Sequence, residues 1–160
     1  MHIPNKKISI MKKLFILLAS LLAVSVCADA QATTDVNNGL FRAVKQLSSP
    51  QGKTALTALF DSGTAADNLY SELKYSSDKN IDWSRVGYVD GIVKGYASAL
   101  ILQLPAGSRY KYVVIYTKSR NVGAGCRIVK SSANWSNSNS IDSRALAAIR
   151  RSVENIEREW

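Results

Sequence analysis

Groups that could act as nucleophile, base or metal ligand are scarce in this chain. Its 160 residues include one histidine, His2, and two cysteines, Cys27 and Cys126. Two of these three precede Gln31, in a stretch that reads as a removable leader. From Met11 the chain runs MKKLFILLASLLAVSVCADA: two lysines, an apolar run from Leu14 to Val26, then the small-residue cut site Ala28-Asp29-Ala30. The apolar run is shorter than the roughly 18 residues a spanning helix needs. Met11 offers a second in-frame start behind Met1, and either start exports the same product. A cut after Ala30 removes His2 and Cys27, so Ser-His-Asp, Cys-His and His-x-x-x-His metal chemistry are excluded from the mature chain. No metal site, cofactor motif or catalytic residue is expected. The remaining thiol, Cys126, reads as a buried small apolar residue or as a site of intermolecular pairing.

Carboxylates alone could still support glycoside chemistry, and Glu72, Asp82 and Asp90 are the candidates. No spacing joins two of them into a pair. Asp82 suits a helix cap, and Asp90 with Lys94 fits an ion pair four residues apart on a helix. The expectation is a protein that is not an enzyme.

The charge distribution is more informative. The full chain carries a net +9. Losing the leader removes four lysines against one aspartate and leaves +6. From Gly91 through Ile141 there is no acidic residue, whereas Lys94, Arg109, Lys111, Lys118, Arg120, Arg127 and Lys130 all fall there. Tyrosines interleave with them, so Arg109, Tyr110, Lys111, Tyr112, Lys118 and Arg120 form the predicted partner surface. Cations mixed with aromatic rings suit an anionic bilayer surface, an acidic protein or a phosphate backbone. Export disfavours nucleic acid. The competing reading is a solvated face whose aliphatic stems cover apolar surface.

These residues must be positioned by a scaffold, and 130 residues are enough for one domain with a core. The stretch from Asp82 to Pro105 reads as its centre, one long helix over 82–104 capped by Asp82 and stopped at Pro105. Gly87, Gly91, Gly95 and Ala99 recur every fourth residue and form a helix-packing row. Each interior glycine costs a helix about 1 kcal/mol, so three in a row suggest a groove for another helix or a second copy of the chain. Ahead of it, Val36, Leu40, Val44 and Leu47 share a helix face after Asp35, and shorter helices are expected over 53–60 and 64–75. Behind it, Asp142 opens a last helix with Leu146, Ile149, Val153, Ile156 and Trp160 as an apolar seam. Residues 109–119 carry β-branched and aromatic residues that favour a strand. Ser108 as a cap, and the lack of other strands, favour helix, with a β-hairpin over 109–130 as the alternative. Residues 131–140 read as a loop. The expected fold is mainly α: residues 31–160 as a single helical domain, a small bundle around the glycine-rich helix.

The run GYVDGIVKGYASAL, the LPAG turn at 104–107, the Tyr/Val segment and the terminal ALAAIRRSVENI helix resemble the small periplasmic immunity proteins that neutralise amidase toxins of type VI secretion. That resemblance covers roughly residues 82–160 and implies a helical, toxin-binding protein. The family's bridged cysteine pair is lacking, so no toxin-blocking residue is carried over. The paired starts and compact leader are also similar to the entry-exclusion proteins of small colicin plasmids, which limit uptake of related plasmids. Both resemblances imply a non-catalytic factor in the periplasm or envelope that binds and blocks a protein partner, either conjugation machinery or a toxin.

Overall fold

The computed structural model describes residues 29–160. The expected leader therefore lies outside the described residues, apart from Asp29 and Ala30. Those two open a first helix, α1, over 29–45. Its face carries Val36, Leu40 and Val44, all buried, and Leu47 follows just beyond its end. Two further helices follow, α2 (Pro50–Thr57) and α3 (Gly63–Ser76). The turn between α1 and α2 is short, because Pro50 already occupies the first turn of α2. Proline is well suited there, having no N–H to leave unpaired. The cap of α3 is Ser62, whose side chain accepts from Ala65 N.

The centre of the chain overturns the mainly helical expectation. Residues 82–104 are not a helix. A 3-10 turn at Trp83–Arg85 leads into β1 (Gly87–Lys94) and β2 (Ala97–Gln103), followed by β3 (Tyr112–Val122) and β4 (Gly125–Ser136). They form one antiparallel sheet in the order β1-β2-β3-β4. The supposed packing row is dispersed. Gly87 and Gly91 lie in β1, Gly95 in the turn and Ala99 in β2.

Gly95 explains the fold here. Lys94 pairs with Ala97, so Gly95 and Tyr96 form a two-residue hairpin turn. Gly95 has φ +57, and no non-glycine residue has positive φ among the described residues. Positive φ at the first turn position only is the type II′ arrangement, which matches the twist of the flanking strands and requires glycine. Gly123, at φ +60, plays the same part between Val122 and Gly125. The lean towards helix for 109–119 is likewise corrected to a strand. The alternative hairpin is the one present, and β4 runs on through the serine- and asparagine-rich 131–136 that read as loop.

Successive strand residues face opposite sides, and both sides are covered. Leu100, Leu102, Val113, Ile115 and Ile128 face α1–α3 and build the larger core with Leu40, Leu56, Leu69, Leu73 and Trp83. Ile92, Ala97, Ala99, Ile101, Val114 and Tyr116 face the last helix, α4 (Ser143–Glu159), through Ile149, Val153 and Ile156. Asp142 caps α4 as expected, accepting from Ala145 N at 2.9 Å. The architecture is three-layered: three helices, the sheet, one helix.

Candidate functional site: a polar cleft at one end of the sheet

The meander puts two kinds of connection at opposite ends. One end holds the tight turns at 95–96 and 123–124. The other gathers the 3-10 turn before β1, the 104–111 connection and the chain leaving β4.

At this second end the chain forms a cleft of about 250 Å³ lined by Asp78, Asn80, Ile81, Asp82, Arg85 and Pro105–Ser108. Asp82 caps the 3-10 turn, taking Ser84 N at 3.1 Å and Ser84 Oγ at 2.6 Å. Those two hydrogen bonds, with Arg85 3.6 Å away, hold its carboxyl below the usual aspartate range. A carboxylate fixed in this way stays ionised and is a poor proton donor. Ligand pockets for drug-sized molecules generally span about 300–1,000 Å³. This cleft is smaller and open, with the dimensions of a seat for a side chain or a loop tip.

The predicted partner surface does not form one patch. Arg109 is exposed beside the cleft and takes part in no ion pair among the described residues. Lys111 donates to Asn139 O at 2.6 Å and lies over the Tyr112 ring. Tyr110 stacks at 5.2 Å on Trp135 against the larger core, and Tyr112 is buried. Lys118 and Arg120 belong to the opposite end, since nine residues of strand separate Lys111 from Arg120 by roughly 30 Å. Lys118 pairs with Glu157 at 3.0 Å, and Arg120 with Asp61 at 2.9 Å. These pairs serve architecture. Lys118 ties α4 to β3, and Arg120 ties the α2–α3 connection to β3.

The three candidate carboxylates are also apart. Glu72 on α3 accepts from Ala133 N, Asp82 caps the 3-10 turn, and Asp90 lies in β1. Asp90 and Lys94 are not helix neighbours but share one face of a strand. Cys126 is half-buried near the tight-turn end, and burial pushes its thiol above its ordinary value. No group of three His, Cys, Asp or Glu side chains able to hold a metal occurs among the described residues. None of the described helices is long and apolar enough to cross a membrane.

Sequence reasoning separated the components of the cleft. Asp82 was legible as a cap and Pro105–Gly107 as a turn. Only the β1–β2 pairing of Gly87 with Gln103 brings them together. Comparison with protein-family models, curated proteins and solved structures finds no match for this chain.

Proposed function

We propose that this chain is a non-catalytic, exported envelope protein acting as an exclusion factor, one that limits conjugative uptake of related plasmids by binding a protein of the transfer machinery. The contact surface in this reading is the cleft with its Arg109 rim. One observation carries the proposal: the cleft sets the ionised Asp82 beside Arg85 on a small concavity, and the exposed Arg109, in no ion pair among the described residues, follows directly on its Pro105–Ser108 wall. Fixed charges of both signs on such a surface give specificity to protein association. The leader supports export, and a mature chain without histidine supports binding over catalysis.

The test is plasmid uptake by conjugation into cells making the chain. Exclusion requires a large drop in uptake, lost when the leader is disrupted and reduced by Arg109→Glu. Unchanged uptake in the presence of the exported chain overturns the reading.

A second reading is favoured by the position of one segment. Pro105–Gly107, from the turn that resembles the immunity proteins, lines the same cleft. On that reading the partner is a secreted toxin enzyme such as an amidase. Co-purification of the toxin, abolished by changes at Pro105–Ser108, distinguishes it from exclusion. An anionic membrane surface is the weaker alternative, because Lys118 and Arg120 are committed to ion pairs within the fold.

A further inference from the structure

The sheet has two edge strands, and the chain treats them differently. Along β4, Ile128 N donates to Leu59 O at 2.9 Å and Asp61 N donates to Ile128 O at 3.1 Å. Further along, Ala133 N reaches Glu72 at 3.0 Å. Helix and loop cover that edge. Along β1, among the described residues, no backbone bond to another element is made on the side away from β2.

Which β1 groups are free follows from the turn. A two-residue turn makes Lys94 and Ala97 a hydrogen-bonded pair, and bonded and non-bonded pairs then alternate. Ile92 bonds to β2, while Gly91 and Val93 turn their N–H and C=O outward. Among the described residues, Gly91 N–H is met there only by its neighbour's side chain, Asp90 Oδ1, at 2.8 Å. Two of the four most exposed large apolar side chains, Tyr88 and Val89, also belong to this strand.

Charged residues and bulges usually guard such an edge against indiscriminate pairing. Here the bulge falls between Tyr88 and Asp90, and the charges are Asp90 and Lys94. Neither charge is paired within the chain among the described residues. Their spacing has a further property. If β1 pairs antiparallel with β1 of a second copy about Ile92, Gly91 and the partner copy's Val93 become a hydrogen-bonded pair. The same register sets Asp90 opposite the other copy's Lys94, twice over by symmetry. Shifting by two residues in either direction sets a charge opposite Ile92. Shifting by four sets Asp90 against Asp90, or Lys94 against Lys94. The charges that repel other strands thus select one register with a second copy.

We infer that this protein forms a two-fold dimer by antiparallel pairing of β1 with β1 about Ile92, making one continuous eight-stranded sheet held in register by reciprocal Asp90–Lys94 pairs. This goes beyond the proposed partner binding, which uses the other end of the molecule and does not depend on it.

The experiment is sedimentation velocity on the purified mature chain over a concentration series, with circular dichroism as the check on fold. Wild type is expected to dimerise. Asp90→Lys and Lys94→Asp each turn two attractive cross-strand pairs into like-charge pairs, and each should weaken the dimer about tenfold or more. The double variant D90K/K94D restores the attraction in the same register and should recover the dimer. A wild-type chain that stays monomeric throughout overturns the inference, as does a dimer indifferent to the single reversals. Loss in the singles without recovery in the double also overturns the register, provided the double variant is folded.

Discussion

The two edges of the sheet carry opposite solutions to one problem. β4 is twelve residues long and carries three serines in its second half. Its outer polar groups are taken up by its own chain, from Leu59–Asp61 and from Glu72 of α3. β1 is eight residues long, with glycine at two positions, and relies on a bulge and two charges. A covered edge is secured by contacts distant in sequence, so it fails when those contacts fail. A guarded edge keeps its backbone groups accessible, so it fails or functions according to its charges. The same hydrogen-bonding surface is a structural joint on one side and an available contact on the other.

Breaking the covered edge should have the largest effect. Ile128 is fully buried where the Leu59–Asp61 segment crosses β4. Ile128→Ala should cost about 2–5 kcal/mol by creating a cavity, read as a lower denaturation midpoint in urea. A loss below about 1 kcal/mol would mean that the crossing is not part of the core.

On the guarded side, Gly95→Ala comes next. A Cβ there would meet Glu157 Oε1 at 2.6 Å, at a φ that side chains rarely adopt. The change should cost about 1–3 kcal/mol and lower the thermal midpoint. It would also disturb the contacts Glu157 makes with Tyr96 N and Lys118.

Two smaller substitutions sharpen the contrast between the edges. Glu72→Ala strips the acceptor from Ala133 N and should cost about 1 kcal/mol. Val93→Pro removes an amide that points away from β2, so it should cost less than about 1 kcal/mol when measured on dilute protein. A Val93→Pro loss as large as that of Ile128→Ala would show that the β1 edge is covered after all.

The smallest effect is chemical. Burial raises the Cys126 thiol, so at pH 7–8 it should react with an alkylating reagent more slowly than free cysteine. The rate should go on rising with pH past the ordinary thiol value, because the folded form holds its proton longer. A rate matching that of free cysteine at neutral pH would mean a more open site.

What could be read from the sequence follows from how local each element is. The seam of Ile149, Val153 and Ile156 and the Asp142 cap are contained within one helix, and α4 is present as read. The stretch 82–104 misleads because its spacing of four satisfies two geometries. Four residues is one helix row, and it is also two strand periods, so Gly87, Gly91 and Gly95 fit either. What separates them is the turn at Gly95, together with apolar residues on both sides of β2, the mark of a strand covered on two faces. The second half of β4, read as loop, misleads for another reason. Half of its side chains lie on a part of the sheet that α4 leaves largely open, so Ser132, Asn134 and Ser136 need not be apolar. The cleft was readable only as separate turns, since its two walls are about 25 residues apart in sequence and are joined through strand register.

The position of α4 bears on how the chain is made. The first core is complete once β4 has formed, whereas the second face of the sheet waits for the seventeen residues of α4. During synthesis, Ile92, Ala99, Ile101 and Val114 therefore stay wet until α4 has emerged. A nascent chain stalled or clipped just before Ser143 would present that apolar strip to its neighbours and clump. α4 thus acts as the closing piece of the fold, separating a chain whose sheet is covered on both faces from one that is left open on the second.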